Sequence, residues 1–200
     1  MFEFNTKEAK WFYKPESYVI EKDRVEITTD PNTDFWQRTY YGFRNDNAHV
    51  FYVTTDEKHF TFTVKVDFNS TALFDQSGVA IYQDSDNWVK AGVEFHDNTT
   101  AWLGSVVTNH GYSDWATTDI SSSIKCVWYR ISRRESDYCI EHSFDGINFK
   151  QMRIFHFFEG GDEINIGLLA CSPNNNSFKS IFTEMKITEC LWEKYNPITN

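Results

Sequence analysis

A tryptophan, a lysine, a glycine and a glutamate share one face of a predicted strand, which is an unusual set for the solvent side of an ordinary sheet. Because side chains alternate along a β-strand, these residues are Trp88, Lys90, Gly92 and Glu94. The indole offers a stacking surface, the ammonium and carboxylate offer charges, and the glycine leaves room beside them. The pattern predicts the floor of a ligand-binding groove on the concave face of a sheet. The alternative is a solvated sheet face on which a loop half covers Trp88.

Other short clusters place tryptophan or a strand entrance beside polar side chains, and we expect them to form the rim of the same groove. The predicted rim residues are Trp36, Gln76, Asp114 and Trp115. Arg38 would add a second cation if its side chain also faces inward. Each cluster also has a purely structural explanation, because aspartate commonly caps turns and tryptophan fills sandwich cores.

Indole rings combined with carboxylate, amide and ammonium groups are typical of sugar recognition. The groove is therefore predicted to hold a small sugar-like or phosphorylated metabolite. No cofactor and no metal site are predicted, because the histidines are scattered and no glycine-rich phosphate loop is present. No catalytic residue is assigned, so a non-catalytic protein is favoured. The alternative is a glycoside hydrolase-like enzyme in which Glu94 works with a second carboxylate such as Asp75 or Asp34.

The charge balance limits the choice of partner. The chain has 29 acidic and 19 basic residues, for a formal charge of −10, so phosphate backbones and anionic membranes would repel it. We therefore expect neither a nucleic acid nor a membrane as partner.

The first eight residues contain no apolar stretch with a basic start, which predicts a cytoplasmic protein. In that compartment the four cysteines are expected to be free thiols.

Apolar residues recur with period two through most of the sequence, which predicts an all-β fold. The clearest segment is His59–Phe68, whose Phe and Val residues alternate with polar ones. About a dozen such runs are separated by turn residues, and the pair Asp145-Gly146 predicts a hairpin. Phe35–Phe43 is read as one of the runs, and at most one short helix is expected. We predict a single domain over 1–200, with a core at about 10–190 and a C-terminal tail at 191–200.

Five separated blocks of the sequence resemble blocks of one protein family, and they occur in the same order along the chain. They are Thr29–Trp36, Asp75–Gly78, Trp88–Glu94, Val106–Asn109 with Ser113–Trp115, and Ala170–Pro173. In these blocks the chain is similar to a bacterial and fungal family of concanavalin A-like domains labelled "regulation of enolase", long catalogued as of unknown function. The resemblance implies a jelly-roll β-sandwich of two packed antiparallel sheets, distantly similar to accessory domains of glycoside hydrolases. It carries over no catalytic residues.

The resemblance also implies a regulatory role. We expect a non-catalytic binding or regulatory protein that acts on enolase or another metabolic enzyme and responds to the ligand in its groove. A third alternative is a pure protein-interaction module that contacts enolase directly, for which an exposed apolar patch would be needed.

Overall fold

The computed structural model describes residues 3–196, and within this range the chain forms sixteen β-strands and no helix. Met1, Phe2 and the last four residues of the predicted tail, 197–200, lie outside the described residues. The strands are β1 Lys10–Phe12, β2 Ser17–Ile20, β3 Arg24–Thr28, β4 Phe35–Gln37, β5 Arg44–Asp46, β6 His49–Thr55, β7 His59–Phe68, β8 Gln76–Asp84, β9 Asn87–Phe95, β10 Thr100–Asn109, β11 Tyr112–Ser121, β12 Cys126–Arg134, β13 Asp137–Ser143, β14 Lys150–His156, β15 Ile164–Cys171 and β16 Lys179–Thr188. No helix in this range is long and apolar enough to cross a membrane.

Two antiparallel sheets pack face to face. The first, here called the front sheet, has the strand order β1-β6-β15-β8-β9-β10-β11, and the back sheet has the order β14-β13-β12-β7-β16-β3-β2. β4 and β5 pair only with each other, outside both sheets. The predicted all-β, concanavalin A-like jelly-roll sandwich is confirmed.

The main core lies between the sheets, where alternation places every second side chain. On β7 the inward residues Phe60, Phe62, Val64 and Val66 are fully buried, as the period-two pattern predicts. On β9 the inward set is Val89, Ala91 and Val93, which pack in the same cluster. Trp88, Lys90 and Glu94 therefore lie on the outer face of the front sheet.

A second apolar cluster lies on that outer face, beneath the β4–β5 hairpin. Its buried members are Phe35, Trp36, Ala48, Val50, Ala80, Tyr82, Trp88, Val106, Leu169 and Cys171. Backbone amides of the hairpin and of the segment before it hold the hairpin down: Thr33 N donates to Ser172 O, and Gln37 N donates to the side-chain Oγ of Ser113. This covering is the feature that shapes the candidate site.

The segment predicted as one run, Phe35–Phe43, is divided by a turn. β4 ends at Gln37, and Arg38, Tyr40 and Gly42 all have positive φ, which reverses the chain before β5. The hairpin predicted at Asp145-Gly146 is present between β13 and β14, and Gly146 has φ +73°. All four cysteines are free thiols.

Candidate functional site

A cavity of about 270 Å³ opens between the β4–β5 hairpin and the outer face of the front sheet. Its floor consists of Gln76 from β8 and Lys90 and Glu94 from β9, and Asp34 adds a carboxylate from the segment leading into the hairpin. A smaller cavity adjoins it and shares Gln76, Lys90 and Glu94. A ligand of monosaccharide size therefore faces four polar side chains, with the apolar Val106 of β10 beside them.

Aromatic rings line the two adjoining cavities, with Trp102 at the smaller one and the others at the larger one. Six rings, here called the aromatic wall, follow one another in the order Phe43, Tyr41, Trp36, Trp115, Trp102 and Phe74. Consecutive ring centroids are 5.8, 5.4, 6.2, 5.9 and 6.3 Å apart. Trp115 meets both neighbouring indoles edge to face, a geometry that aromatic pairs favour. Polar groups below and rings around the sides suit a molecule that combines flat apolar surface with hydrogen-bonding groups.

Lys90 is buried and its ammonium is fully engaged with the protein. Nζ donates to Phe35 O at 2.7 Å, to Gln76 Oε1 at 2.7 Å and to Asp34 Oδ1 at 3.4 Å. Burial by itself lowers the pKa of Lys90, but the neighbouring negative groups, Asp34 first among them, outweigh it and the net direction is upward. Lys90 therefore carries a positive charge and has no donor left for a ligand.

Asp34 completes this network. Its Oδ1 accepts hydrogen bonds from the backbone amide Phe35 N at 2.7 Å and from Gln76 Nε2 at 3.4 Å. Its Oδ2 accepts one from Asn45 Nδ2 at 3.5 Å. The carboxylate thus ties the hairpin to the floor.

Glu94 is the exception on the floor. Its half-buried carboxyl lines both cavities and forms no hydrogen bond or ion pair with any residue in 3–196. Desolvation raises its pKa to about 7; the Lys90 charge opposes this shift and the Asp34 charge adds to it. At neutral pH both the protonated and the ionised form of the Glu94 carboxyl are therefore populated. Acid–base catalysis and proton-linked binding both use a group of this kind.

The structure brings together five of the seven predicted site residues. Trp36, Gln76, Lys90, Glu94 and Trp115 all line the cavity. What they do there remains a prediction. Their convergence follows from the register, in which Lys90 pairs with Val106 and Val106 pairs with Trp115 across the meander β9-β10-β11.

The other two predicted residues lie elsewhere, which corrects the predicted geometry. Trp88 is fully buried beneath the hairpin and stacks on Phe35 at 5.1 Å, so no ligand reaches its ring. Asp114 lies on the opposite face of β11 from Trp115, because neighbouring side chains alternate, and forms an ion pair with Arg153. Neither side chain contributes to the cavity.

Two further residues named from the sequence, Arg38 and Gly92, make specific contacts in the structure. Arg38 does not face inward, because its Nη1 donates to Gly111 O at 3.0 Å. Gly92 lines the smaller cavity, and the neighbouring strand also requires it, because a Cβ added there would lie 2.3 Å from Ser77 O. The glycine permits close approach of two strands.

Asp75 is excluded as a partner for Glu94. It is fully buried, and Oδ2 accepts from Thr71 N and Ala72 N while Oδ1 accepts from Ser172 Oγ and Asn176 Nδ2. With every lone pair directed at an internal donor, Asp75 is a structural anchor for two loops.

Sequence reasoning missed four residues of the aromatic wall: Tyr41, Phe43, Phe74 and Trp102. The signal for two of them was present, since Tyr40-Tyr41-Gly42-Phe43 is an aromatic cluster around a glycine. Within the described part of the chain, no group of three or more histidine, cysteine or acidic side chains is placed to hold a metal ion.

A protein family and a yeast relative each match nearly the whole chain. Residues 11–190 match the family described as "Protein of unknown function (DUF1349)". The chain is also 34% identical over 181 residues to "Regulation of enolase protein 1" of Saccharomyces cerevisiae, covering 90% of this chain and 89% of the yeast protein.

Solved structures agree on the fold. A crystal structure described as a functionally unknown protein from Saccharomyces cerevisiae matches with a TM-score of 0.86 and 34% identity, covering 94% of this chain and 99% of that one. The GH43 BlXynB protein from Bacillus licheniformis matches with a TM-score of 0.68 at 13% identity, covering 88% of this chain but 35% of that protein. The second match is a likeness of fold alone.

Proposed function

This chain belongs to the DUF1349 family of proteins of unknown function, and from that premise we propose that it is a non-catalytic regulatory protein whose cavity binds a small sugar-type ligand. The observation that carries the proposal is the aromatic wall standing around a floor of amide and carboxylate groups. Ring faces bind the apolar faces of pyranose rings, and planar polar groups bind their hydroxyls.

The floor favours a polyhydroxylated ligand over a phosphorylated one. Lys90 is the only cation lining the cavity in the part of the chain that the structure describes, and all three of its donors bind protein oxygens. A phosphate would meet the carboxylates of Asp34 and Glu94 without a free ammonium to offset them. Of the two ligand classes predicted from the sequence, we therefore propose the sugar without a phosphate group.

The regulatory part of the proposal rests on the yeast relative, whose name is Regulation of enolase protein 1. We propose that this chain likewise acts on enolase or another metabolic enzyme in the cytoplasm, and that ligand occupancy of the cavity modulates the effect. Tyr40, which is 94% exposed at the tip of the hairpin, offers an apolar contact beside the cavity mouth. Failure of purified enolase to co-sediment with the protein, with or without bound sugar, would remove the case for direct contact.

Tryptophan fluorescence tests ligand binding, because Trp36 and Trp115 line the cavity. Titration with glucose, xylose and galactose, each beside its phosphate ester, is expected to give a saturable change with a sugar and a weaker one or none with its ester. Trp115→Ala should lose the response. Trp128→Ala is the matched control, because Trp128 lies on β12 of the back sheet and donates to Glu184. A flat response across the whole panel would refute the proposal.

One observation favours an enzyme as the second candidate. Glu94, whose pKa of about 7 suits a general acid, lines the same cavity as Asp34, and glycoside hydrolysis uses two carboxyl groups in different protonation states. The donors bound to Asp34 argue for a positioning role instead. Release of nitrophenol from a panel of nitrophenyl glycosides, abolished in Glu94→Gln, would establish the enzyme.

A further inference from the structure

We propose that the ligand of this cavity carries a protonated amine that pairs with Glu94 inside the aromatic wall, so that the site takes an amine-bearing sugar-type molecule. This inference rests on the proposed function and deepens it by naming the chemical group that is recognised. Three independent features of the site support it: an unpartnered carboxyl, a surround of aromatic rings, and the engagement of every nearby cation elsewhere.

The first feature is the unequal pairing of the floor. Asp34, Gln76 and Lys90 hydrogen-bond with one another, whereas the Glu94 carboxyl has no partner in residues 3–196. Removing a carboxylate from water without a hydrogen-bond donor is costly, and a charged donor compensates it better than a neutral one. The ammonium that is closest along the chain, Lys90, is already held by three other oxygens. A charged donor on a bound molecule would supply the partner that the described residues do not provide.

The second feature is the aromatic wall itself. Ring faces attract cations, and a ring of aromatic side chains is the usual surround for a recognised ammonium group. Here rings on both sides of Trp115 enclose the cavity that Glu94 lines. The net charge of −10 further favours approach of a cation over an anion.

The third feature is the absence of a free basic side chain at the mouth, within the described residues. Arg44, on β5, donates to Gln37 Oε1 and Asp86 Oδ1 at 2.7 Å each, and Arg38 is held by Gly111 O. Both guanidinium groups are thereby directed away from the floor. Nothing on this side competes with an incoming amine for Glu94.

The charged groups that surround Glu94 are few. Lys90 lies on its own strand, Asp34 faces it from the covering segment, and the paired residues on β8 and β10 are the uncharged Gln76 and Trp102. His96, two residues further along β9, stacks on Trp102 at 4.2 Å. Glu94 is the carboxyl of the floor whose pKa is raised to about 7, so its charge changes near neutral pH.

The experiment compares sugars that differ only in one group. Affinities of the full chain for glucose, for its 2-, 3- and 6-amino-deoxy derivatives and for N-acetylglucosamine are measured by calorimetry at about pH 7. We expect at least one amino derivative to bind about tenfold more tightly than glucose, and N-acetylglucosamine, which keeps the nitrogen without the charge, to show no such gain. Glu94→Gln should reduce the preference to about twofold or less, whereas Asp114→Asn, which removes a carboxylate on the other face of β11, should retain it.

A pH series on the unaltered chain gives a second measurement that does not depend on a variant folding. The amine preference should vanish by about pH 5, because Glu94 is then protonated. If glucose binds and no amino derivative binds more tightly, this inference is overturned while the proposed function stands. If neither glucose nor any derivative binds, both are overturned. A preference that persists at about pH 5 or in Glu94→Gln also overturns it, because the amine then pairs elsewhere.

Discussion

Lys90 and Glu94, two charged residues of strand β9, differ in how the surrounding protein pairs them. Lys90 is buried with all its donors satisfied. Glu94, four residues along on the same face, is half-buried and accepts no hydrogen bond from residues 3–196. About 13 Å of extended chain separates their backbones, so the two side chains do not meet as a simple ion pair. The contrast separates a structural charge from one that is available to a ligand.

The free energy of unfolding should depend on pH through Glu94. Its pKa is about 7 in the folded chain and near 4.5 when unfolded, so the folded state binds more protons between these values and stability falls as pH rises through that window. Relative to Glu94→Gln, the unaltered chain should lose up to about 3 kcal/mol between about pH 4 and pH 8. Urea unfolding at the two pH values measures this. Glu163→Gln, on an exposed loop, should leave the dependence unchanged, and a constant difference between the chain and Glu94→Gln would contradict the assignment.

At the scale of the strand, β8 and β9 lie so close together at position 92 that only a glycine fits there. It pairs with Gly78, and a Cβ on Gly92 would press on Ser77 O at 2.3 Å. Gly92→Ala should therefore lower the free energy of unfolding by at least about 2 kcal/mol. Gly161→Ala, where the nearest atom to the added Cβ is at 3.9 Å, should change it by about 0.5 kcal/mol or less. Equal urea midpoints for the two variants would show that the strands can separate without cost.

The β4–β5 hairpin is expected to depend on Phe35 for its attachment to the front sheet. That ring is fully buried and stacks on Trp88 at 5.1 Å and on Tyr82 at 5.5 Å. Phe35→Ala should cost about 3–5 kcal/mol and expose Trp88, giving a red-shifted emission and easier quenching by acrylamide. Phe43→Ala, at a ring that is 45% exposed, should cost far less and leave the emission of Trp88 unchanged. An unchanged spectrum in Phe35→Ala would show that the hairpin does not cover the indole.

At the scale of the whole molecule, the two apolar clusters share the strands of the front sheet. Val89 points into the main core and Trp88 into the cluster beneath the hairpin, so neither cluster can open without disturbing the same strand. We therefore expect a single cooperative thermal transition, with equal calorimetric and van't Hoff enthalpies. An early separate transition seen only by tryptophan fluorescence would show instead that the hairpin unfolds on its own.

Local alternation explains why so much of the fold was predictable. In β7 and β9 the period-two pattern identifies the face that packs between the sheets without any knowledge of the neighbours, because the geometry of one strand decides it. The turn at Asp145-Gly146 is equally local. The ordered blocks from Thr29 to Pro173 identified the family for the same reason, since they are features of the linear chain.

Local alternation does not predict contacts between segments that are far apart in the chain. Phe35 covers Trp88 across more than fifty positions, and this burial turned a predicted stacking surface into core. Residue types and the face each one occupies follow from the order of amino acids, because neighbouring side chains must point to opposite sides of a strand. Which of the outward residues are covered, which carboxyl is left without a partner and which rings meet around it depend on how the hairpin packs on the sheet, and packing energy is shared among residues far apart in the chain.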